Sequence, residues 1–421
     1  MYEPTGQKSP YHAFVWPALA AAATSEIAAL LAKQFANLAV GAEDGPAAAE
    51  PEWSTPHTIA LELQSVRLRD FSTGEDGVPA LLCAPFALHG ASVADLAPGH
   101  SLVATLRDAA LRRLFVTDWR SASADMRFLR IDDYLADLNV LVDQLGGTVD
   151  LIGLCQGGWM ALLYAARFPA KVRKLVIVGA PVDIAAGQSG LSALVDASPL
   201  AFFHELVKLG DGRILGRKVL KFWGPETMSS HEIHELLQAD EPIDSPAFAQ
   251  LEAVFRKWYA WTVDLPGAYY LEVIEKLYKK NEIAAGRFVA LGQKVDLADI
   301  CAPIFLLAAS KDELIAPAQL FATEHLVGTP AHNIRKAMAP CRHAGLFMGK
   351  KILGEYWPEI ARWILKPILP GESSSIAENM ADPDISDRAF DHPWWATATA
   401  PSGRQSTGRI AVSSSPPHRG R

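Results

Sequence analysis

The chain has 421 residues, half of them hydrophobic, and a formal net charge of −8. This length allows two or three domains, or one elaborated α/β domain. The acidic balance argues against a nucleic-acid partner, because phosphate binding needs a clustered positive field. The widely and irregularly spaced cysteines favour neither a disulfide framework nor a metal site, so we expect a reducing compartment. They are Cys83, Cys155, Cys301 and Cys341.

The N-terminal segment, residues 1–56, is predicted to hold an amphipathic helix followed by a linker. Apolar residues recur at helical spacing between Ile27 and Leu38. Glu26 and Lys33 interrupt this apolar run, which argues against a transmembrane segment. The helix is expected to pack on the core. The alternative is that it lies on an apolar surface.

Residues 57–181 and 298–370 alternate between short apolar stretches and helical patterns. Continuous apolar strands separated by helices predict a mostly parallel sheet covered by helices on both faces. Both segments are therefore assigned to one α/β core. The predicted core strands are Pro79 to Leu88, Leu114 to Trp119, Val149 to Leu154, Leu175 to Ala180, Pro303 to Ala309 and Asn333 to Met338.

Two segments depart from this alternation. Residues 182–297 are mostly helical in pattern and rich in aromatics, which predicts a cap over the ends of the strands. Most of these aromatics are expected to fill the core of the cap and a few to line a substrate channel. Residues 371–421 contain few aliphatic residues and are predicted to be disordered.

A glycine-rich motif occupies residues 153–158, Gly-Leu-Cys-Gln-Gly-Gly, between a predicted strand and a helix. It has the form of a nucleophile elbow of the α/β-hydrolase fold, with cysteine where serine is commoner. Gly153 and Gly157 are needed because side chains beside the sharp turn would clash with the strand and the helix. The turn puts Cys155 at a helix N-terminus, where the dipole favours thiolate. The alternative is a tight turn holding a structural cysteine.

The acid and the base of such a site should follow later strands, in the chain order nucleophile, acid, histidine. Asp312 follows one predicted strand and His343 follows the next. We therefore predict Cys155, Asp312 and His343 as catalytic residues, with Glu313 as the local rival of Asp312. The oxyanion is expected to be bound by the backbone amides of Gln156 and Ala87.

At these residues the chain resembles the polyhydroxyalkanoate synthases, closest to the short members that act with a second subunit. The resemblance extends from about Pro79 to Leu365. Besides the elbow, it is carried by Asp95-Leu96 with Ser101-Leu102-Val103, Asp118-Trp119-Arg120, Asp132-Asp133-Tyr134, Pro181-Val182-Asp183, Gly292 with Val295-Asp296-Leu297, and His343 with Gly345.

Several positions depart from the synthase pattern. His89 replaces a typical asparagine and is a candidate for substrate contact or for shaping its loop. Ser92 replaces a tyrosine, and Trp159 replaces a small residue. The residues before His343 are Cys341 and Arg342 rather than a glycine pair. The last block also resembles the intracellular polyhydroxyalkanoate depolymerases, so the direction of the chemistry stays open.

The resemblance implies a cytoplasmic acyltransferase at polyester granules, which builds the polymer from 3-hydroxyacyl-coenzyme A with no separate cofactor. It also implies a second synthase subunit, and we expect a homo-oligomer. One alternative is a hydrolase of polyester or acyl thioesters with the same triad. Another is an inactive relative that binds granules or a partner.

Overall fold

A central sheet organises the described part of the chain, which in this computed structural model is residues 48–223 and 228–368. Within those residues it has eight strands. Numbered in chain order they are β1 (Thr58–Glu62), β2 (Val66–Asp70), β3 (Ala80–Cys83), β4 (Leu114–Trp119), β5 (Val149–Leu154), β6 (Val172–Val178), β7 (Ile304–Ala309) and β8 (Ile334–Ala339).

The spatial order of the strands is β1-β2-β4-β3-β5-β6-β7-β8. β2 runs antiparallel to both of its neighbours, and all the other neighbouring pairs are parallel. β3, β4, β5 and β7 are buried along their whole length. Such burial follows from covering a parallel sheet on both faces. The predicted α/β-hydrolase fold is confirmed.

Helices flank the sheet in the core and make up most of the insertion between β6 and β7. Those of the core are α1 (Leu102–Asp108), α2 (Ile131–Gln144) and α3 (Gln156–Arg167) before the insertion, and α10 (Pro317–Phe321), α11 (Thr323–Leu326), α12 (Gly345–Met348), α13 (Lys350–Glu355) and α14 (Trp357–Leu365) after it. Those of the insertion are α4 (Gly190–Ala197), α5 (Leu200–Leu209), α6 (Gly216–Trp223), α7 (Ser230–Leu237), α8 (Pro246–Ala260) and α9 (Gly267–Glu272).

Alternate side chains of each strand enter two separate cores, as the two-residue period of a strand requires. Leu81 and Leu151 point to the face covered by α2 and α3. Leu82 and Ile152 point to the opposite face, covered by α1 and α14.

None of the helices in residues 48–223 and 228–368 is long and apolar enough to span a bilayer.

The prediction that the first core strand extends to Leu88 is wrong, because β3 ends at Cys83. Both backbone groups of Ala84 are bound outside the strand ladder. Its N–H donates to the hydroxyl of Thr117 at 3.0 Å, and its carbonyl accepts from the indole N–H of Trp119 at 2.9 Å. Residue 85 is a proline and has no N–H to donate. The chain therefore leaves the sheet as a loop.

The insertion is helical as expected, but it also contains a π-helical turn, Val273–Lys279, directly after α9. The insertion also contains two short antiparallel β ribbons. One pairs Arg213–Ile214 with Leu265–Pro266, and the other pairs Val289–Ala290 with Gln293–Lys294. The predicted helix of residues 27–38 and the predicted disorder of residues 371–421 lie outside the described residues.

Candidate active site

Cys155 occupies the sharp turn between β5 and α3. Its backbone has φ 50° and ψ −119°, a strained conformation for a residue with a side chain. A Cβ on Gly157 would lie 2.1 Å from the carbonyl oxygen of Cys83. A Cβ on Gly153 would lie 2.5 Å from the Cα of Gly158. Only glycine fits at both positions, and the turn has the geometry expected of a nucleophile elbow.

His343 and Asp312 lie together beside this turn. The Nδ1 atom of His343 is 2.8 Å from Oδ2 of Asp312, and its ring is also in hydrogen-bonding contact with Cys155. Because the carboxylate only accepts, Nδ1 is the donor and Nε2 is left for the sulfur. The other carboxylate oxygen accepts the backbone N–H groups of Leu314 and Ile315, each at 2.9 Å. The acid is thus held from both sides.

Two opposing influences act on the imidazole of His343. Its burial lowers the pKa, but the charges of Asp312 and Cys155 and the hydrogen bonds to both raise it well above its usual range. The local rival, Glu313, does not bind the imidazole. Its carboxylate lies 3.7 Å from the guanidinium of Arg342. The geometry therefore places Asp312, and not Glu313, against the histidine.

An apolar cavity of about 250 Å³ opens onto Cys155 and His343. The core contributes the elbow and the loop after β3, and the insertion contributes most of the rest. Among the described residues that line it, none is a lysine, arginine, aspartate or glutamate. Six aromatics of the insertion line it: Phe203, Trp258, Tyr259, Tyr269, Tyr270 and Tyr278. Other aromatics of the insertion, such as Phe248 and Phe255, are buried elsewhere.

The two residues predicted to bind the oxyanion, Gln156 and Ala87, line this cavity together with Cys155. Gln156 is the first residue of α3, so its N–H belongs to the first turn and has no acceptor within the helix. Ala87 lies on the loop that begins at Ala84. The sheet fixes the start of this loop through the bonds of Thr117 and Trp119 to Ala84.

His89 lies on the same loop and lines the cavity. Its Nδ1 is 3.1 Å from the carbonyl oxygen of Trp261, which can only accept, so Nδ1 carries the proton. Burial lowers the pKa of His89 to about 4, although this hydrogen bond opposes the shift. The neutral ring packs against Trp258 at 4.6 Å between centroids. Its Nε2 is buried and has no partner among the described residues, so it offers a free acceptor.

The sequence pattern did not single out Tyr278, which comes from the π-helical turn and lines the cavity. Its hydroxyl lies 3.0 Å from the side-chain amide nitrogen of Gln156. The departure at Trp159 was the available signal, because the indole N–H of Trp159 donates to the amide oxygen of Gln156 at 2.6 Å. Trp159 alone does not indicate Tyr278, because only the fold brings the two residues to opposite ends of the Gln156 side chain.

We expect iodoacetamide to alkylate Cys155 faster than any other cysteine. Burial raises the pKa of the Cys83 and Cys341 thiols to about 12, and burial also raises that of Cys301. These thiols stay protonated at neutral pH, whereas Cys155 lies at a helix N-terminus beside His343. Peptide mass spectrometry over a time course measures the order of labelling. Earlier labelling of the half-buried Cys301 would contradict the assignment.

Similar sequences are found in two comparisons with known proteins. Residues 233–367 match the family model described as the PHB de-polymerase C-terminus. The poly(3-hydroxyalkanoate) polymerase subunit PhaC of Allochromatium vinosum is 28% identical over 257 residues, 60% of this chain and 71% of that protein. PhaC of Synechocystis is 29% identical over 283 residues, 64% of this chain and 73% of that protein.

Among solved structures, the monoacylglycerol lipase of Paleococcus ferrophilus matches 72% of this chain and 98% of its own, with 16% identity and a TM-score of 0.46. The strand order of the central sheet and the similarity to the PhaC subunits lead to one assignment. The chain is an α/β-hydrolase-fold relative of the polyhydroxyalkanoate synthase subunits.

Proposed function

We propose that this chain is an acyltransferase that takes 3-hydroxyacyl groups from coenzyme A thioesters and joins them into a polyester. In this proposal Cys155 is the nucleophile, His343 the base and Asp312 the acid that orients it. One observation carries the proposal: the imidazole of His343 contacts Cys155 and Asp312 beside an apolar cavity. The relatives named as poly(3-hydroxyalkanoate) polymerase subunits support the choice of substrate and product.

The proposed reaction begins when the thiol of Cys155 gives its proton to His343 and its sulfur attacks the carbonyl carbon of the thioester. The bond from that carbon to the sulfur of coenzyme A breaks, and coenzyme A leaves as a thiol with a proton from His343. One thioester replaces another, so the step costs little free energy. His343 then takes the proton of a second substrate's hydroxyl, whose oxygen attacks the acyl group on Cys155. The bond from the acyl carbon to the sulfur of Cys155 breaks, and the sulfur recovers its proton from His343.

The backbone amides of Gln156 and Ala87 are the proposed oxyanion donors, because both residues line the cavity next to Cys155. We also assign the free acceptor of His89, Nε2, to the hydroxyl of the 3-hydroxyacyl group. Residues 182–297 act as the cap in this proposal. Their apolar side chains keep water from the acyl-enzyme, which favours transfer to a hydroxyl over hydrolysis.

Two further properties follow from the proposed relationship. The relatives are named as subunits, which supports a second subunit as the partner of this chain. An insoluble polyester product would place the enzyme at the surface of granules in the cytoplasm.

A second candidate function is hydrolysis of a polyester or an acyl thioester by the same residues. The match of residues 233–367 to the PHB de-polymerase C-terminus favours it. In that case water replaces the second hydroxyl, and His343 activates it. The two functions differ only in what reaches the acyl-enzyme.

The first test of the thioester route is His343→Ala. We expect the acyl group on Cys155 to outlive its normal lifetime, because deacylation needs the base more than acylation of a thiolate does. Mass spectrometry of the intact protein after addition of 3-hydroxybutyryl-coenzyme A measures the adduct. The Cys155→Ala, His343→Ala double variant is the control and should carry no adduct. Equal labelling of both variants would contradict the route.

Product analysis with the wild-type protein separates transfer from hydrolysis. A synthase should release coenzyme A after a lag and yield insoluble polymer with little free 3-hydroxybutyrate. Free acid and coenzyme A in equal amounts from the first turnover would establish the hydrolase instead. The measurement is repeated with a candidate second subunit before polymer formation is judged absent.

A further inference from the structure

A chain of three buried side chains leads from the elbow helix to the cap. The indole N–H of Trp159 donates to Oε1 of Gln156 at 2.6 Å. Nε2 of Gln156 donates to the hydroxyl oxygen of Tyr278 at 3.0 Å. Trp159 is fully buried, and the exposed fractions of Gln156 and Tyr278 are 9% and 8%. The proposed acyl transfer assigns no role to these three side chains.

The direction of the chain is fixed by chemistry. An indole nitrogen can only donate, so the atom of Gln156 that faces Trp159 must be the oxygen. The amide nitrogen of Gln156 then faces Tyr278 and donates to its hydroxyl oxygen. The proton of Tyr278 must therefore point away from Gln156. Among the described residues it has no acceptor, and its side chain lines the cavity.

The surroundings keep Tyr278 a donor and fix its place in the cavity that Cys155 also lines. Burial raises the pKa of its phenol well above the usual range, although the hydrogen bond with Gln156 opposes the shift. Two hydrogen bonds anchor the residues that follow its π-helical turn. Asn281 donates to the carboxylate of Asp183 at 2.7 Å and accepts the N–H of Ile184 at 3.1 Å. π-helical turns are frequent at functional sites.

We propose that the hydroxyl of Tyr278 is a third oxyanion donor, oriented by Trp159 and Gln156, for the tetrahedral intermediate formed on Cys155. The proposal rests on the acyl transfer proposed above. The proposed acceptor of the Tyr278 hydroxyl is the carbonyl oxygen of the thioester, because this oxygen is bonded to the carbon that the sulfur attacks. The hydroxyl of a 3-hydroxyacyl group lies two carbons farther along the chain. Tyr278 is thus a catalytic residue, and Trp159 is a positioning residue.

The kinetic test is Tyr278→Phe, which keeps the ring and removes the donor. We expect kcat to fall on the order of 10²-fold, with KM little changed, because the bond strengthens only in the transition state. The rate of acylation, measured as coenzyme A release in the first turnover, should fall by the same factor for butyryl- and 3-hydroxybutyryl-coenzyme A, because acylation needs no hydroxyl on the substrate. A loss confined to the hydroxylated substrate would overturn the assignment to the carbonyl oxygen. An unchanged first-turnover rate for both substrates would overturn the proposal.

Tyr164→Phe is the matched control. Tyr164 lies on α3, the helix that holds Gln156 and Trp159. Its buried hydroxyl donates to Asn139 at 3.1 Å, outside the cavity. Trp159→Phe should reproduce part of the loss, because the amide of Gln156 is then free to turn over. In the Tyr278→Phe background the same change should have no further effect. An additive loss would assign Trp159 a merely structural role and overturn the orienting chain.

A second readout needs only a nucleophilic sulfur, not acyl transfer. Butyraldehyde adds to a thiol: the proton of the thiol passes to His343, a carbon–sulfur bond forms, the carbonyl double bond opens, and the oxygen enters the oxyanion site. We expect Tyr278→Phe to weaken this adduct about tenfold, as loss of a hydrogen bond does, with ¹³C NMR of the labelled aldehyde as the measurement. Alkylation by iodoacetamide forms no oxyanion and should keep its rate.

The outcomes separate the two proposals. A wild-type protein that binds the aldehyde but turns over no acyl thioester removes the proposed function and leaves the Tyr278 donor supported by the NMR result. An adduct of equal stability in Tyr278→Phe overturns the donor while acyl transfer stands. Equal slowing of adduct formation and alkylation would show an effect on the thiol and overturn the oxyanion role. No adduct on wild-type Cys155 would overturn the oxyanion role of Tyr278, and thioester turnover would still decide on acyl transfer.

Discussion

Cys155→Ala should lower the rate of acyl transfer by on the order of 10⁶-fold, the loss seen when a triad nucleophile is removed. No other cysteine can replace it, because the thiols of Cys83 and Cys341 are buried and protonated and Cys301 does not line the cavity. The fold should survive. Residue 155 lies on a turn and is only half-buried, so the free energy of unfolding should change by about 1 kcal/mol or less.

The measurement is coenzyme A release from 3-hydroxybutyryl-coenzyme A, with urea unfolding followed in parallel. Cys301→Ala is the matched control, since Cys301 is also half-buried and lies outside the cavity. It should keep the wild-type rate. A folded Cys155→Ala protein with full activity would eliminate the cysteine mechanism, whatever the other residues do.

Asp312→Asn should lower kcat by on the order of 10⁴-fold, by analogy with hydrolytic triads. The backbone N–H groups of Leu314 and Ile315 need an acceptor and would bind the amide oxygen of the new asparagine. Its NH₂ group would then face Nδ1 of His343. That nitrogen must become an acceptor, so the proton moves to Nε2, and the ring can no longer take a proton from the attacking hydroxyl.

Glu313→Gln is the matched control for Asp312→Asn, because it makes the same chemical change one residue away. Its carboxylate faces Arg342, so we expect kcat to stay near the wild-type value. Steady-state kinetics of both variants with the same thioester decide the matter. A damaging Glu313→Gln beside a harmless Asp312→Asn would move the acid by one residue.

The fold could be predicted from local patterns because its strands are buried on both faces. Leu114–Trp119 and Val149–Leu154 are observed with the predicted bounds. The end of β3 could not be predicted in this way. It depends on the side chains of Thr117 and Trp119, which bind Ala84 from more than thirty residues away in sequence. The hydrophobicity of residues 84–88 does not indicate those hydrogen bonds.

By itself, the sequence determined the α/β-hydrolase fold and the positions of Cys155, Asp312 and His343 at the ends of strands. The reason is that parallel strands bring their carboxyl ends to one edge of the sheet, so chain order is sufficient to collect these residues there. Only the tertiary structure decided which other side chains line the cavity beside them. The carbonyl of Trp261 holds the proton of His89 on Nδ1 and so leaves Nε2 as an acceptor. The amide of Gln156 donates to the hydroxyl of Tyr278 and so leaves its proton for another acceptor. Both partners are distant in sequence. Such pairings depend on side-chain packing in three dimensions, which no periodicity encodes.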